Sequence, residues 1–236
     1  MRLITTWGAA PEFNMGLDEA LLLSPDAPPT LRLYSWSPDT LSLGYFQRFD
    51  SVPGAEQAGA IVRRITGGGA IHHVNELTFS LTAPLSYHLY RCPLPRSYER
   101  VHASITRALQ HFGIAAAPAA NQPLASDRAD TGMCFHHSTP ADLAWNGRKG
   151  VGSAQRRTGG RVLHHGSIKL GSSMLEGDIA CLPLDGGEQD LARVLLKCFS
   201  ADWDEEFVPG EPSESELARV ELLGPRYTST EFLHRR

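Results

Sequence analysis

The chain has 236 residues, 42% of them hydrophobic and 20% charged, which suits one large domain or two small ones with a substantial buried core. Its 22 basic and 26 acidic residues give a formal net charge of −4, and no basic run supplies the footprint that nucleic-acid binding requires. No stretch reaches the roughly 20 apolar residues of a membrane span, and the four cysteines form no C-x-x-C pair, so the expectation is a soluble cytoplasmic protein with free thiols, no nucleic-acid partner and no membrane partner.

In chain order, "EFNMGLDEALLLS" places Phe13, Leu17, Ala20 and Leu21 at helical spacing and predicts an amphipathic helix ending before Pro25. In "LRLYSWSPDTLSLGYFQ", apolar residues alternate on either side of Ser37-Pro38-Asp39, which predicts two strands joined by a turn. "AIVRRI" and "LTFSLTA" read as strands flanking three consecutive glycines. "SYERVHASITRALQHFG" is a helix pattern, with Ser97 as N-cap, a stripe of Val101, Ile105, Ala108, Leu109 and Phe112, and Gly113 past its end. A long Pro-containing segment then leads to Cys134. Asn146-Gly147 marks a tight hairpin, with Lys149 on the returning strand. "GRVLHHGSIKL" is a further strand and "EQDLARVLLKCF" a helix, and Ser213 with Glu216 forms a capping-box pattern before a last helix. The sum is an α+β fold of mostly antiparallel hairpins with flanking helices. Residues 1–207 are expected to form one domain and 208–236 a short helical tail packed on it.

The segment "RRITGGGAIHHVNELTFS" is open to several readings. Three glycines permit close backbone approach or a tight bend, but they match neither G-x-x-x-x-G-K-[ST] nor G-x-G-x-x-G followed by a helix. The pairs His72-His73, His136-His137 and His164-His165 suggest a metal at first sight. Neighbours in a strand point to opposite faces, however, and no H-E-x-x-H or H-x-H accompanies them, so no metal site is expected.

Four stretches in order, "NMGLDEALL", "LRLYSWSPDTLSLGYFQ", "RRITGGGAIHHVNELTFS" and "GRKGVGSAQRRTGGRVLHHGSI", resemble the signature blocks of the lipoate-protein ligase and octanoyltransferase family, which shares its catalytic fold with biotin-protein ligases. The resemblance spans roughly residues 11 to 175. It implies that residues 1–207 are an α+β catalytic domain built on a mixed, largely antiparallel sheet with flanking helices, and that an octanoyl or lipoyl group is attached to a lysine of a small carrier domain. Within that family, Arg63-Arg64 and Gly69 resemble the ATP-dependent ligases. His73 and the run Glu76-Leu77-Thr78-Phe79-Ser80 resemble the cysteine acyltransferases, and Val74 stands where both have aspartate.

Cys134, fifteen positions before Lys149, resembles the catalytic cysteine of the octanoyltransferases. A thiolate is the nucleophile that thioester exchange requires, and a neighbouring cation favours it. The resemblance therefore implies that Cys134 accepts the acyl group while Lys149 binds mainly the acyl carbonyl. Gly67, Gly68, Gly69 and Ala70 are implied to wall an acyl tunnel that Gly152, Ser153 and Ala154 continue. Arg64, His73, His165 and Gly166 are implied to complete the substrate site. The donor would be acyl carrier protein or an octanoylated carrier domain, and the acceptor a lipoyl domain or glycine cleavage H protein. No cofactor is then required. A ligase would instead need ATP and Mg²⁺, and a third reading is a non-catalytic module that binds lipoate or a carrier domain.

Overall fold

The computed structural model describes residues 1–235. Strand β1 (Arg2–Ala9) leads to helix α1 (Pro11–Leu23), then β2 (Thr30–Trp36), β3 (Thr40–Leu43), β4 (Ala60–Arg63), β5 (Ile71–His73) and β6 (Glu76–Pro84). Helix α2 (Leu94–His111) precedes β7 (Ala117–Pro118), β8 (Leu143–Trp145), β9 (Arg148–Thr158) and β10 (Arg161–Lys169). Helix α3 (Gly187–Trp203), β11 (Val208–Pro209), α4 (Glu214–Leu223) and α5 (Thr230–Leu233) complete the chain.

The main sheet has the order β11-β1-β2-β6-β10-β9-β8-β7, parallel at β11-β1-β2 and antiparallel from β2 onward. A smaller sheet, β4-β3-β5, is parallel on one side of β3 and antiparallel on the other. The mixed, largely antiparallel α+β expectation is thus met. The Ser37-Pro38-Asp39 turn does more than join two strands, because it carries the chain from the main sheet into the small one.

Alternation gives the main sheet two unlike faces. Leu31 and Leu33 of β2, Leu77, Phe79 and Leu81 of β6, and Val162 and Ile168 of β10 share one buried cluster with Val101, Ile105 and Leu109 of α2 and Leu191, Leu195 and Phe199 of α3. The intervening residues are polar and equally buried: Arg32, Thr78, Ser80, His165, Ser167 and Lys169. Helix α1 lies on this second face, where Asp18 accepts hydrogen bonds from the Ser80 hydroxyl at 2.7 Å and the Tyr34 hydroxyl at 3.0 Å and pairs with Arg32. The burial of so many polar side chains requires each to find a partner, and the site is built from those partnerships.

Helix α2 starts earlier than its sequence pattern suggests. Its N-cap is Pro93, with Pro95 in the first turn where a fixed φ and a missing N–H cost little. Ser97 is inside the helix, its hydroxyl donating back to the Leu94 carbonyl at 2.7 Å. The Asn146-Gly147 hairpin forms as expected, with both residues at positive φ, 52° and 71°. The capping box at Ser213 and Glu216 is present in full, and α4 packs on α1. Among the described residues no helix is long and apolar enough to cross a membrane.

Candidate active site

The glycine segment leaves β4 at Arg63 and enters β5 at Ile71, so it caps the small sheet beside the polar face of the large one. Gly68 adopts φ +97°, a conformation that side chains rarely tolerate. Beneath it the buried Arg64 guanidinium donates to the carbonyls of Gly67 at 2.8 Å, Gly69 at 2.7 Å and Ser42 at 2.8 Å. Arg63 points elsewhere, donating to the carbonyls of Gly44 and Gln47 and to those of Phe232 and Leu233 near the C-terminal end. The two adjacent arginines therefore brace backbone, one in the loop and the other between the loop and the tail.

Gly69 and Ala70 do not wall the cleft, contrary to the sequence expectation. They hold the cysteine segment from behind. The Ala70 N–H donates to the Gly132 carbonyl at 2.8 Å, and the Cys134 N–H donates to the Ala70 carbonyl at 2.7 Å. A Cβ on Gly69 would lie 2.8 Å from both the Cys134 nitrogen and the Gly132 oxygen. Position 69 has no room for a side chain here.

Cys134 is partly buried at the start of a short 3-10 turn. Lys149, two residues past the hairpin, runs its side chain alongside Gly152, whose missing Cβ would lie 3.0 Å from Lys149 Cε. Its ammonium lies 3.5 Å from Cys134 Sγ, 2.8 Å from Asp142 Oδ2, 2.9 Å from the Cys134 carbonyl and 3.1 Å from the His137 carbonyl. Burial would lower the ammonium's pKa, but the negative charge available on Cys134 and Asp142 outweighs it and holds the group above its ordinary value. Three N–H groups already face protein acceptors. The cation is 1% exposed, and its N–H groups are shared among the sulfur, the carboxylate and the two carbonyls.

The Phe135 ring, next to the cysteine, is held between two cations, 5.5 Å from Lys149 Nζ and 5.0 Å from Lys169 Nζ. Lys169 is fully buried between Glu76 at 2.8 Å and Glu176 at 2.9 Å. Two carboxylates share one ammonium, and burial pushes the Glu176 carboxyl up to about 7.

A cleft opens beside Cys134. Arg64, Gly67, Gly68, His73, Gly152, Ala154, His165 and Gly166 line it. Ser153 also borders it, but its hydroxyl is taken up between two buried histidines, 2.7 Å from His102 Nε2 and 3.0 Å from His164 Nε2. Met15, Tyr34, Trp36, Ile71 and Thr78 complete the lining; of these only Thr78 was singled out in the sequence, within the run from Glu76 to Ser80. Trp36 and Met15 do lie in the quoted blocks, so the signal was present. Asp142 carried no motif at all.

The paired histidines are engaged separately. His72 bonds Asp39 at 2.8 Å, and His136 donates Nε2–H to the Glu176 carbonyl at 2.6 Å. His165 lies 2.6 Å from the Thr66 hydroxyl and 3.2 Å from Asp18. His73 has both nitrogens bonded, to Glu76 at 2.6 Å and Ser42 at 2.7 Å, and burial holds its pKa below the ordinary value.

Residues 10–198 match the model of the lipoyl protein ligase A/B catalytic domain. The octanoyltransferase LipM of Moorella thermoacetica is 33% identical over 100% of this chain and 98% of its own length, and that of Staphylococcus aureus is 29% identical over 99% and 98%. Among solved structures, the putative lipoate protein ligase Ta0514 of T. acidophilum superposes with a TM-score of 0.80 at 22% identity, covering 100% of this chain and 98% of that one. A lipoate-protein ligase A bound with ATP gives 0.79 at 20% identity, with coverage of 99% and 98%. These structural likenesses show the fold.

Proposed function

The chain belongs to the lipoyl protein ligase A/B catalytic-domain family, and on that premise we propose that it is an octanoyltransferase working through a Cys134 acyl-enzyme. The observation that carries the reading is the Lys149 ammonium 3.5 Å from Cys134 Sγ, at the edge of an apolar-walled cleft. A buried cation beside sulfur stabilises the thiolate that thioester exchange needs.

The reaction has two steps. The Cys134 thiolate attacks the octanoyl thioester of a carrier protein, forming a new thioester and releasing the carrier thiolate, which takes up a proton. The amine of an acceptor lysine, on a lipoyl domain or glycine cleavage H protein, then attacks that thioester, loses a proton and leaves as the amide while Cys134 returns to the thiolate. Passing from thioester to amide is downhill, so no cofactor is needed. Lys149 holds the charge on sulfur at the start and end of each cycle. Gly67, Gly68, Gly152, Ala154 and Gly166 line the cleft that receives the acyl chain, and His165, held by Thr66 and Asp18, borders it. The four free thiols suit a reducing cytoplasm, where we place the reaction.

The alternative, an ATP-dependent ligase with Mg²⁺, drew on Arg63, Arg64 and Gly69. Both arginines are engaged by backbone carbonyls and Gly69 abuts Cys134, so those marks have a structural use that involves no nucleotide. Incubating the protein with octanoyl carrier protein should add one octanoyl mass at Cys134 without ATP, and Cys134→Ala should abolish it. Full transfer by Cys134→Ala would refute the acyl-enzyme, adenylate formation from octanoate and ATP would favour the ligase, and inertness in both assays would favour a binding module.

A further inference from the structure

Glu76 and Thr78 belong to the sequence marks that resemble the acyltransferases, yet the two-step chemistry above makes no use of either. Glu76 is buried at the start of β6, and both its oxygens are engaged. Oε1 accepts from His73 Nδ1 at 2.6 Å and from the Thr78 hydroxyl at 2.7 Å, while Oε2 accepts from the Ser167 hydroxyl and pairs with Lys169 at 2.8 Å. Burial would push the carboxyl up, but the Lys169 ammonium and the bonds from His73 hold it well below the ordinary range. It is therefore an acceptor only.

That fixes the direction of the protons around it. Thr78 gives its one proton to Glu76, so its oxygen accepts the Trp36 indole N–H at 2.8 Å. His73 gives its Nδ1–H to Glu76, so its Nε2 accepts the Ser42 hydroxyl proton at 2.7 Å. The rings of Trp36 and His73 stack with centroids 4.2 Å apart at an interplanar angle of 17°, and both border the cleft.

From this one-way chain we infer that Glu76 is a positioning residue: through Thr78 and its own bond to His73 it holds the Trp36–His73 stack flat as the wall that grips the donor's acyl chain. The inference deepens the octanoyltransferase reading and rests on it for its kinetics. The grip on an unreacting hydrocarbon is the same in the ground and transition states, so its loss falls on KM rather than kcat.

Thr78→Val removes the hydroxyl and keeps the shape. It should raise KM for octanoyl carrier protein roughly two- to tenfold, the size of one lost hydrogen bond, and weaken octanoate binding in a calorimetric titration by a similar factor. Trp36→Phe removes the N–H that Thr78 holds, so adding Thr78→Val to it should change little further. Glu76→Gln should raise KM more than Thr78→Val does, and where that variant fails to fold the cycle with Thr78 carries the test. Additive effects of Thr78→Val and Trp36→Phe, an unchanged KM, or a loss confined to kcat would overturn the inference. Failure of the parent protein to acylate Cys134 would sink the functional reading instead, while the octanoate titration would still report on the wall.

Discussion

Lys149 Nζ lies 2.8 Å from Asp142 Oδ2 and 3.5 Å from Cys134 Sγ, so one buried cation is shared between a carboxylate and a cysteine sulfur. Asp142 and the two backbone carbonyls fix where the ammonium sits, and that position defines the charge available to the sulfur.

Removing the cation alone leaves Asp142 buried and unpaired. Lys149→Met should therefore lower stability by about 3–5 kcal/mol in chemical denaturation and abolish octanoylation of Cys134 in intact-mass measurements. Adding Asp142→Asn should recover much of the stability without restoring acylation. A double variant that acylates at the parent's rate would show that the cation acts on folding only.

Gly69 and Gly67 offer a contrast within one loop. A Cβ at 69 meets the Cys134 backbone at 2.8 Å, whereas one at 67 meets only the Phe46 ring, at 3.8 Å. Gly69→Ala should cost about 1–3 kcal/mol, as overpacking against rigid backbone does, and slow the acylation of Cys134. Gly67→Ala should leave the melting temperature within a degree or two of the parent's. Equal behaviour of the two variants would mean that the cysteine clamp does not matter.

The Glu76–Lys169–Glu176 cluster predicts a pH dependence with a definite sign. The Glu176 carboxyl is raised from an ordinary 4.5 to about 7, so between those values the folded chain binds more protons at this site than the unfolded one. Its contribution to stability therefore falls as pH rises from about 4.5 through about 7. Glu176→Gln should flatten that limb of the stability profile and be more stable than the parent above pH 7. A variant less stable than the parent at every pH would contradict this.

Much of the architecture was legible because it is local. Asn146-Gly147, Ser213-Glu216 and the strand alternation each act over a few residues, and each appears where the pattern puts it. The pairing of Cys134 with Lys149 came from a resemblance between ordered blocks, and the structure brings the two together. What could not be read depends on contacts between distant segments. Three glycines announce a close approach, but only the fold shows that it is to Gly132 and Cys134. Arg63 and Arg64 look alike as neighbours, yet one reaches the Leu233 carbonyl and the other the glycine loop. Ser97 has the chemistry of a cap, and two prolines ahead of it moved the helix start.

The two faces of the main sheet carry a consequence for how the molecule reaches its shape. A one-residue slip of β10 would drive Lys169, Ser167 and His165 into the hydrocarbon layer and strand Val162 and Ile168 among carboxylates. Misaligned pairings are thereby penalised on both sides at once. The buried polar groups of that face therefore also act as a proofreading device for strand alignment, so a polar-to-apolar exchange there should trade fidelity of assembly for any stability it adds.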